Sequence, residues 1–568
     1  MENERFWTKS YDPGVGDLSP DQWETSYVDA VRPTFSKFGD KTAYAFMGTH
    51  VSFADLDCYA NRFARMLLDN GFKKGDVVGI NLPNIPEYGI AWLGTLRAGC
   101  VVSGVSPLLS APEMKHQLTD AKARALVTLD AVFAATLVKI ADQLPDLKLV
   151  VVASVGGFLS PVKRFLGKRL GKIPQGRVTP LADKSVVQIE KVIKGSAYSG
   201  DDPGVAVTPD DIAYIQYTGG TTGLPKGAQL SHRNVVADLL IVQHWLHWEK
   251  GRGLALSGFP FFHIAGLFFN KNCIYLGWTQ VLIPNPRDTD HICKEIKKYR
   301  PTVLVNVPSL FQMLIANPAF KTLDHSGLEG CISAASPFPE ESQRQLESIV
   351  GEGKLLEVYG MTETAPLTTM NPMQGKKKLG HIGLPLPNTD LCLKNTETGE
   401  KVAVGQPGEI CVKGPQVMVG YFNQPEETAK AFDVEGYFHT GDVAIQDEEG
   451  FLRIVDRTKD MIIVGGFKVF SRRVEDILSE HPAIDMIATI GRANPERPGS
   501  ELVEAYVKPV AGHPLAGDRA ALEKEILAFA KEKLSPYEIP KRVHVLDELP
   551  LTPVGKVDKK VLRKKDGK

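Results

Sequence analysis

Short β-branched runs alternate with helix-length amphipathic stretches through most of the first 450 residues. Phe53–Asn70 carries apolar residues at helical spacing and ends against Gly71, which suits a C-cap. The run Asp76–Leu82 (DVVGINL) follows it, and Ala125–Thr128, Leu149–Val152, Val281–Ile283 and Val303–Val307 are of the same kind. A strand buried on both faces reads as a continuous apolar run, and a helix between two such strands lets them lie parallel. The expectation is an α/β fold with largely parallel sheets.

A chain of 568 residues is too long for one hydrophobic core. The texture changes after about Gly405, where Glu409–Val412, Tyr437–Phe438, Ala444–Gln446 and Leu452–Val455 read as short strands broken by glycine turns. That suggests a small β-rich subdomain. Beyond Arg457 the pattern is compact α+β: a strand at Met461–Val464, a helix at Arg472–Glu480, strands near Ile487–Ile490 and Leu502–Val507, and a helix at Ala520–Lys533. The polar stretch Asp456–Asp460 (DRTKD) is the boundary. The reading is a large N-terminal domain, residues 1–456, of two α/β subdomains plus the β-rich one. A hinge at 457–460 and a small α+β C-terminal domain, 461–568, follow it.

Lys plus Arg number 66 against 67 for Asp plus Glu, so no global charge favours nucleic acid. The seven cysteines are scattered and form no CxxC pair, which fits free thiols in a reducing cytoplasm and suggests no zinc site. The start, MENERFWTKS, lacks the apolar core of a signal peptide. Gly89–Val105, the most membrane-like stretch, carries Arg97 at its centre and reads as a buried helix followed by a buried strand.

Phe158–Arg177 (FLSPVKRFLGKRLGKIPQGR) stands apart. Phe158, Val162, Phe165, Leu166, Leu170 and Ile173 recur at roughly helical spacing, and Lys163, Arg164, Lys168, Arg169, Lys172 and Arg177 accompany them without one acid. Such a segment either lies on an anionic membrane, at the inner face of a cytoplasmic bilayer, or packs its apolar side on its own domain. Its two interior glycines weaken the helix.

Tyr217–Gly227 reads YTGGTTGLPKG. The β-rich run Ile212–Gln216 precedes it, the short strand Ala228–Leu230 follows, and a helix begins only at Ser231. A Walker loop runs into a helix and has glycine before its lysine, whereas here Pro225 precedes Lys226. The chemistry still points to phosphate. Gly219, Gly220 and Gly223 free backbone N–H groups to face an anion, Thr218, Thr221 and Thr222 add hydroxyl donors, and Lys226 adds a point charge.

This stretch resembles the phosphate-binding signature of the adenylate-forming superfamily, which includes acyl-CoA synthetases, peptide-synthetase adenylation domains and firefly-type luciferases. The partner motifs follow in the family's order. Tyr359–Glu363 (YGMTE) is similar to the adenine and magnesium motif. The resemblance implies that Tyr359 and Gly360 meet the adenine, Thr362 the phosphates and Glu363 the Mg²⁺, with Thr218 as a second oxygen near the metal. Ala334 and Ala335 of SAASP would line the adenine and acyl pocket. His439–Asp442 (HTGD) resembles the motif whose aspartate, here Asp442, takes the ribose diol, and Ile454 and Arg457 fall near it. Lys459 falls at the hinge position, Gly465 and Gly466 in the loop that lines the pantetheine tunnel, and Lys556 of PVGK at the catalytic lysine. His263 of FPFFHIAG is similar to the histidine beside the acyl carboxylate; a satisfied core histidine is its other reading.

The resemblance spans roughly Lys41 to Lys556 and implies a mobile C-terminal domain and two half-reactions. With Mg²⁺ and ATP a carboxylic acid becomes an acyl-adenylate and pyrophosphate leaves. CoA then takes the acyl group and AMP leaves. The catalytic set implied is Lys556, Glu363, Lys226 and His263. FWTKSYDPGV and the basic segment resemble bacterial medium- or long-chain fatty acyl-CoA synthetases. The departure is Ser333–Pro337 (SAASP), where many such members have glycines, so an aryl or short-chain acid is the alternative substrate. A non-catalytic nucleotide-binding regulator would be expected to lack Lys556 or Glu363, and both are present.

Overall fold

The computed structural model describes residues 5–218, 225–336, 338–465, 467–498, 500–552 and 557–564. The chain divides into two compact units, one of residues 1–219, 225–390 and 413–430, the other of 220–224, 391–412 and 431–568.

The first unit holds two large sheets. In one, five strands run parallel neighbour to neighbour from Val101–Gly104 through Val77–Asn81, Ala125–Leu129 and Leu149–Ala153 to Ser185–Gln188 on one side, with Ile212–Tyr217 joining on the other. Gly227–Ser231 and Gly420–Tyr421 extend it antiparallel. In the other sheet the parallel order is Leu355–Gly360, Gly330–Ser333, Val303–Asn306, Leu254–Ser257, Thr279–Leu282, Thr42–Phe46, and both edges are antiparallel. Strands Val77–Asn81, Ala125–Leu129, Leu149–Ala153 and Val303–Asn306 are buried along their length, as an unbroken apolar run requires.

Helix Pro86–Arg97 is buried on every side. Arg97 is tolerated there because its guanidinium donates to the Asp57 carboxylate at 2.6 Å and to the Asn61 amide oxygen at 2.6 Å. The expected helix-then-strand over Gly89–Val105 is what forms, and among the described residues no helix is long and apolar enough to cross a membrane.

Glu87, at the start of the same helix, is fully buried, and neither carboxyl oxygen has a hydrogen-bond partner on another described residue. Burial pushes its pKa up to about 8, with Glu190 adding to the rise and Lys194 and Arg164 opposing it. Gly157 leaves the room, since a Cβ there would meet Glu87 Oε1 at 2.1 Å. The folded chain therefore holds a proton that the unfolded chain releases near pH 4.5. Stability from this group is complete below that pH and is lost as pH rises toward 8. In urea denaturation at pH 5 and pH 8, Glu87→Gln should gain on the parent by roughly 1–3 kcal/mol at the higher pH; a difference independent of pH would contradict the protonated state.

The second unit begins with a four-stranded sheet in the order Asp390–Lys394, Pro407–Lys413, Phe438–Gln446, Leu452–Arg457, in which Phe438–Gln446 pairs antiparallel with the strands on either side of it. Tyr437–Phe438 and Ala444–Gln446, expected as separate strands, are one strand that runs through His439–Asp442. Gly441 at φ +74° and a register shift on each flanking pairing absorb the turn chemistry without ending the strand. The hairpin Ile462–Val464 with Phe467–Val469 follows, then a three-stranded sheet of Ile484–Ala493, Glu501–Pro509 and Arg542–Val545. Val474 and Leu478 of helix Ser471–Leu478, and Leu522 and Ile526 of helix Arg519–Lys533, close its core.

Candidate active site

Strands Ile212–Tyr217 and Gly227–Ser231 form an antiparallel pair, with Tyr217 opposite Gly227. The Gly/Thr stretch is therefore the connection of a hairpin, as strand-to-strand placement requires. Thr218 N–H donates to Lys226 O at 2.9 Å and closes its neck. Gly219, Gly220, Thr221, Thr222 and Gly223 lie outside the described residues, as do Gly466 and Lys556.

Lys226 lies at the mouth of the loop and half-exposed. Its ammonium is 3.0 Å from the Glu427 carboxylate and 4.4 Å from the centre of the Tyr421 ring. Lys430, and then Lys226, hold the Glu427 carboxyl down to about 2. The Tyr421 hydroxyl donates to Glu363 Oε1 at 2.8 Å, and burial, then the Glu363 charge, raises the phenol far above its ordinary range. Tyr421 thus stays a neutral donor with an anion at its hydroxyl and a cation on its ring face. The result is a column, Glu363, Tyr421, Lys226, Glu427, in which a neutral phenol stands between an anion and a cation, and a second anion meets that cation. Neither Tyr421 nor Glu427 was singled out from sequence. An aromatic followed four residues later by Pro425 and two acids reads as an ordinary helix start.

Glu363 is itself buried. Its backbone carbonyl accepts from Met418 N–H at 2.8 Å, so the segment that carries Tyr421 is pinned to the turn that carries Glu363. A carboxylate braced on one oxygen by a neutral phenol is the hard oxygen donor that Mg²⁺ takes, and this fits Glu363 to the ion. Tyr359 is the penultimate residue of strand Leu355–Gly360, opposite Thr369 of Leu367–Met370. The next residue must be glycine, because a Cβ on Gly360 would lie 1.9 Å from Pro366 O. Thr362 is buried beside Glu363. Tyr359, Thr362 and Glu363 therefore sit on one strand end and the turn that follows it.

Beneath that turn lies a pair the sequence reading passed over. Lys271 and Asp238, from helices Ile264–Leu276 and His232–Trp245, meet at 2.6 Å with both side chains buried. Lys271 also donates to Val235 O at 3.1 Å and to Ala365 O at 3.0 Å, and the other Asp238 oxygen accepts from Leu367 N–H at 3.0 Å. Burial pushes Asp238 up and Lys271 down, and each opposes the other's shift through its own charge.

His263 caps helix Ile264–Leu276, its Nδ1 accepting from Ala265 N–H at 3.3 Å. The chain before it is fixed by Gln216, whose amide donates to Phe262 O at 2.7 Å. Ala334 and Ala335 follow strand Gly330–Ser333, and Ala335 has φ +72°. That is a left-handed backbone which glycine would adopt without strain, so the side-chain departure from GG keeps the glycine-like turn.

In the second unit Asp442 and Arg457 stand opposite each other on neighbouring strands, carboxylate to guanidinium at 3.0 Å. Asp442 is buried and Arg457 half-exposed. Glu409 braces the HTGD turn, accepting from Gly441 N–H at 2.9 Å on one oxygen and meeting His439 Nδ1 at 2.9 Å on the other. Ile454 pairs with Ala444 two positions before Asp456. Lys459 is exposed along its side chain; partial desolvation of its ammonium, and then Arg457, brings it down to about 8. Gly465 turns at φ +58° and its N–H donates to Ser500 Oγ at 2.8 Å.

The chain matches the family model described as "AMP-binding enzyme" over residues 31–422, and that described as "AMP-binding enzyme C-terminal domain" over 473–556. It is 36% identical over 566 residues to a long-chain-fatty-acid–CoA ligase of Escherichia coli O157:H7, covering 98% of each chain. It is also 36% identical to the Bacillus subtilis protein of that name, over 98% of this chain and 97% of that one. Among solved structures, ATP-bound MatB from Rhodopseudomonas palustris superposes with a TM-score of 0.79 at 27% identity, over 94% of this chain and 98% of that one.

Proposed function

The chain belongs to the AMP-binding enzyme family, and from that footing we propose that it is an AMP-forming acid–thiol ligase that converts medium- to long-chain fatty acids into their CoA thioesters. Its substrates are a fatty acid, ATP and CoA, and Mg²⁺ is its cofactor. The observation that carries the reading is the column Glu363–Tyr421–Lys226 at the mouth of the Gly/Thr hairpin.

In the first half-reaction a carboxylate oxygen attacks the α-phosphorus, the bond to the bridging oxygen breaks, and pyrophosphate leaves. Two anions must meet, so the protein's task is to offset charge. Lys226 and the backbone of the Gly/Thr loop take the β- and γ-phosphates; an incoming triphosphate competes with Glu427 for the Lys226 ammonium. Glu363, with Thr218 as a second oxygen, would hold Mg²⁺, which when bound would supply further charge neutralisation on the phosphates. Tyr359 and Gly360 receive the adenine between themselves and the Ala334–Ala335 wall. Asp442 accepts from the ribose hydroxyls, supported by Arg457 and the neighbouring Ile454. Lys556 bridges the carboxylate and the α-phosphate, and His263 stands beside the acyl carboxylate. In the second half-reaction the CoA sulfur attacks the acyl carbonyl, the thiol proton is lost, and AMP departs. The segment 457–460 acts as the hinge between the halves, with Gly465 and Gly466 meeting the pantetheine arm.

Fatty acids are favoured over aryl or short-chain acids by the full-length likeness to two bacterial long-chain ligases. Pyrophosphate release over acids from acetate to stearate, plus benzoate, with and without CoA, tests the reading. Release should peak among the longer chains, and AMP should turn over only with CoA present. A peak at benzoate or acetate would transfer the assignment to the other acids. No release with any acid would end it. The location proposed is cytoplasmic, in keeping with seven unpaired cysteines, with peripheral contact at the inner face of the membrane through Phe158–Arg177.

A further inference from the structure

Helix Pro161–Arg169 buries none of its residues. Val162 is 67% exposed, Phe165 63%, Leu166 48% and Leu170 65%. With Arg169 they fall at i, i+3, i+4, i+7 and i+8, which is one face of a helix. The helix is seated by its other side. Arg164 reaches the Glu190 carboxylate at 3.1 Å and lies along Gly156, where a Cβ would come 3.1 Å from Arg164 Cγ. Gly167 lies against the buried Ile173 side chain. Lys163 donates to Met47 O at 2.8 Å. At the near end Phe158 is buried, with the Lys194 ammonium 4.2 Å from its ring centre, and Lys194 donates to Gly157 O at 2.9 Å. The segment is therefore anchored by Lys163, Arg164 and Gly167, and its apolar stripe points to solvent. An ordinary surface helix does the reverse. Of the two readings open from sequence, packing on its own domain holds for Phe158 and Ile173 at the ends of the segment and fails for Val162, Phe165, Leu166 and Leu170 between them.

An outward stripe of four large apolar side chains is more than scattered surface exposure. Lys163, Lys168, Arg169, Lys172 and Arg177 surround it, and the segment contains no acid. We propose that this stripe inserts among the headgroups and upper acyl chains of an anionic phospholipid bilayer, with Lys168, Arg169 and Lys172 on the lipid phosphates. A second copy of the chain is a poor occupant, because it would bring the same cations against themselves. The anchoring explains why the helix stays exposed: Arg164 is committed to Glu190, so turning the stripe inward would break that pair. The inference rests on the ligase reading for its purpose, an acid substrate that partitions into lipid, and on the helix alone for its geometry.

The test is co-sedimentation of the full chain with vesicles of phosphatidylcholine alone and of phosphatidylcholine with phosphatidylglycerol, at low and high salt. The expected result is pelleting with the anionic vesicles that weakens with salt. Phe165→Glu/Leu170→Glu should lower the partition constant by about tenfold or more, because the inserted face is lost. Lys168→Glu/Arg169→Glu should do so by a similar factor through the phosphates. Circular dichroism of each variant reports its folding. Pyrophosphate release from octanoate without vesicles should be unchanged in both, since neither touches the site. No pelleting, pelleting indifferent to both variants, or equal affinity for phosphatidylcholine alone would overturn the proposal. A dimer abolished by Leu170→Glu without vesicle binding would overturn it in favour of a second copy. Should no acid release pyrophosphate while pelleting depends on these residues, the ligase reading falls and the surface assignment stands.

Discussion

Lys271→Ala should destabilise the first unit by about 3–5 kcal/mol, because it leaves Asp238 as an unpaired buried carboxylate. The loss is larger than the truncated side chain alone would explain. Asp238 would also have to take up a proton, and its Leu367 N–H donor would then face a neutral acid. Urea denaturation checks the size; a change below about 1 kcal/mol would mean that the pair is open to water. The second reading concerns function. Lys271 donates to Ala365 O, and Asp238 accepts from Leu367 N–H, so the pair clamps the turn just after Glu363 from both ends. Lys271→Met/Asp238→Leu removes both charges and should recover most of the stability, as replacing a buried pair by apolar groups of similar volume often does. It does not restore the two backbone contacts. The double variant should therefore be a stable protein whose KM for Mg-ATP is raised by about tenfold, a loss of positioning at Glu363 without loss of folding. Stability and KM recovering together would leave the pair a purely structural role.

The architecture was legible where the signal is local. Runs such as Leu149–Ala153 are buried on both faces and announce it in composition, and the placement of the Gly/Thr stretch between two strands followed from the late start of the next helix at Ser231. The strand Phe438–Gln446 was read as two because Thr440 and Gly441 are turn residues, and only the pairing with Pro407–Lys413 carries the strand across them. The site was legible at motif residues and not at their supports. Lys271 is one cation in an apolar helix, a visible signal, but its partner lies 33 positions earlier on another helix. Tyr421 and Glu427 gain meaning only from where the chain brings them, 58 and 201 positions from Glu363 and Lys226 respectively. The amphipathicity of Pro161–Arg169 was evident; its direction was not, because periodicity gives a face and only packing says which way that face looks.

The largest separation of effects is expected between Lys556 and Lys459. Lys556→Ala should lower acyl-adenylate formation by about 10² or more, since the cation proposed to bridge the two anions is lost. It should leave thioester formation from supplied acyl-adenylate close to the parent rate, because no charge then has to be held between carboxylate and phosphate. Lys459→Pro should do the opposite. A proline fixes φ near about −65° and removes freedom from the segment proposed to turn between the half-reactions. The substitution also removes a cation, so Lys459→Ala is the control. The Lys459 ammonium is held below its ordinary range by burial and by Arg457, while Asp460 and Asp442 pull it back. Alanine at this position removes the charge and leaves the backbone free, so it should retain the second half-reaction where proline loses it. Single-turnover measurement of pyrophosphate release, and separately of acyl-CoA from synthetic acyl-adenylate, reads both steps. If Lys556→Ala and Lys459→Pro slow the two steps in equal proportion, neither residue divides the reaction, and 457–460 is a structural turn rather than a hinge.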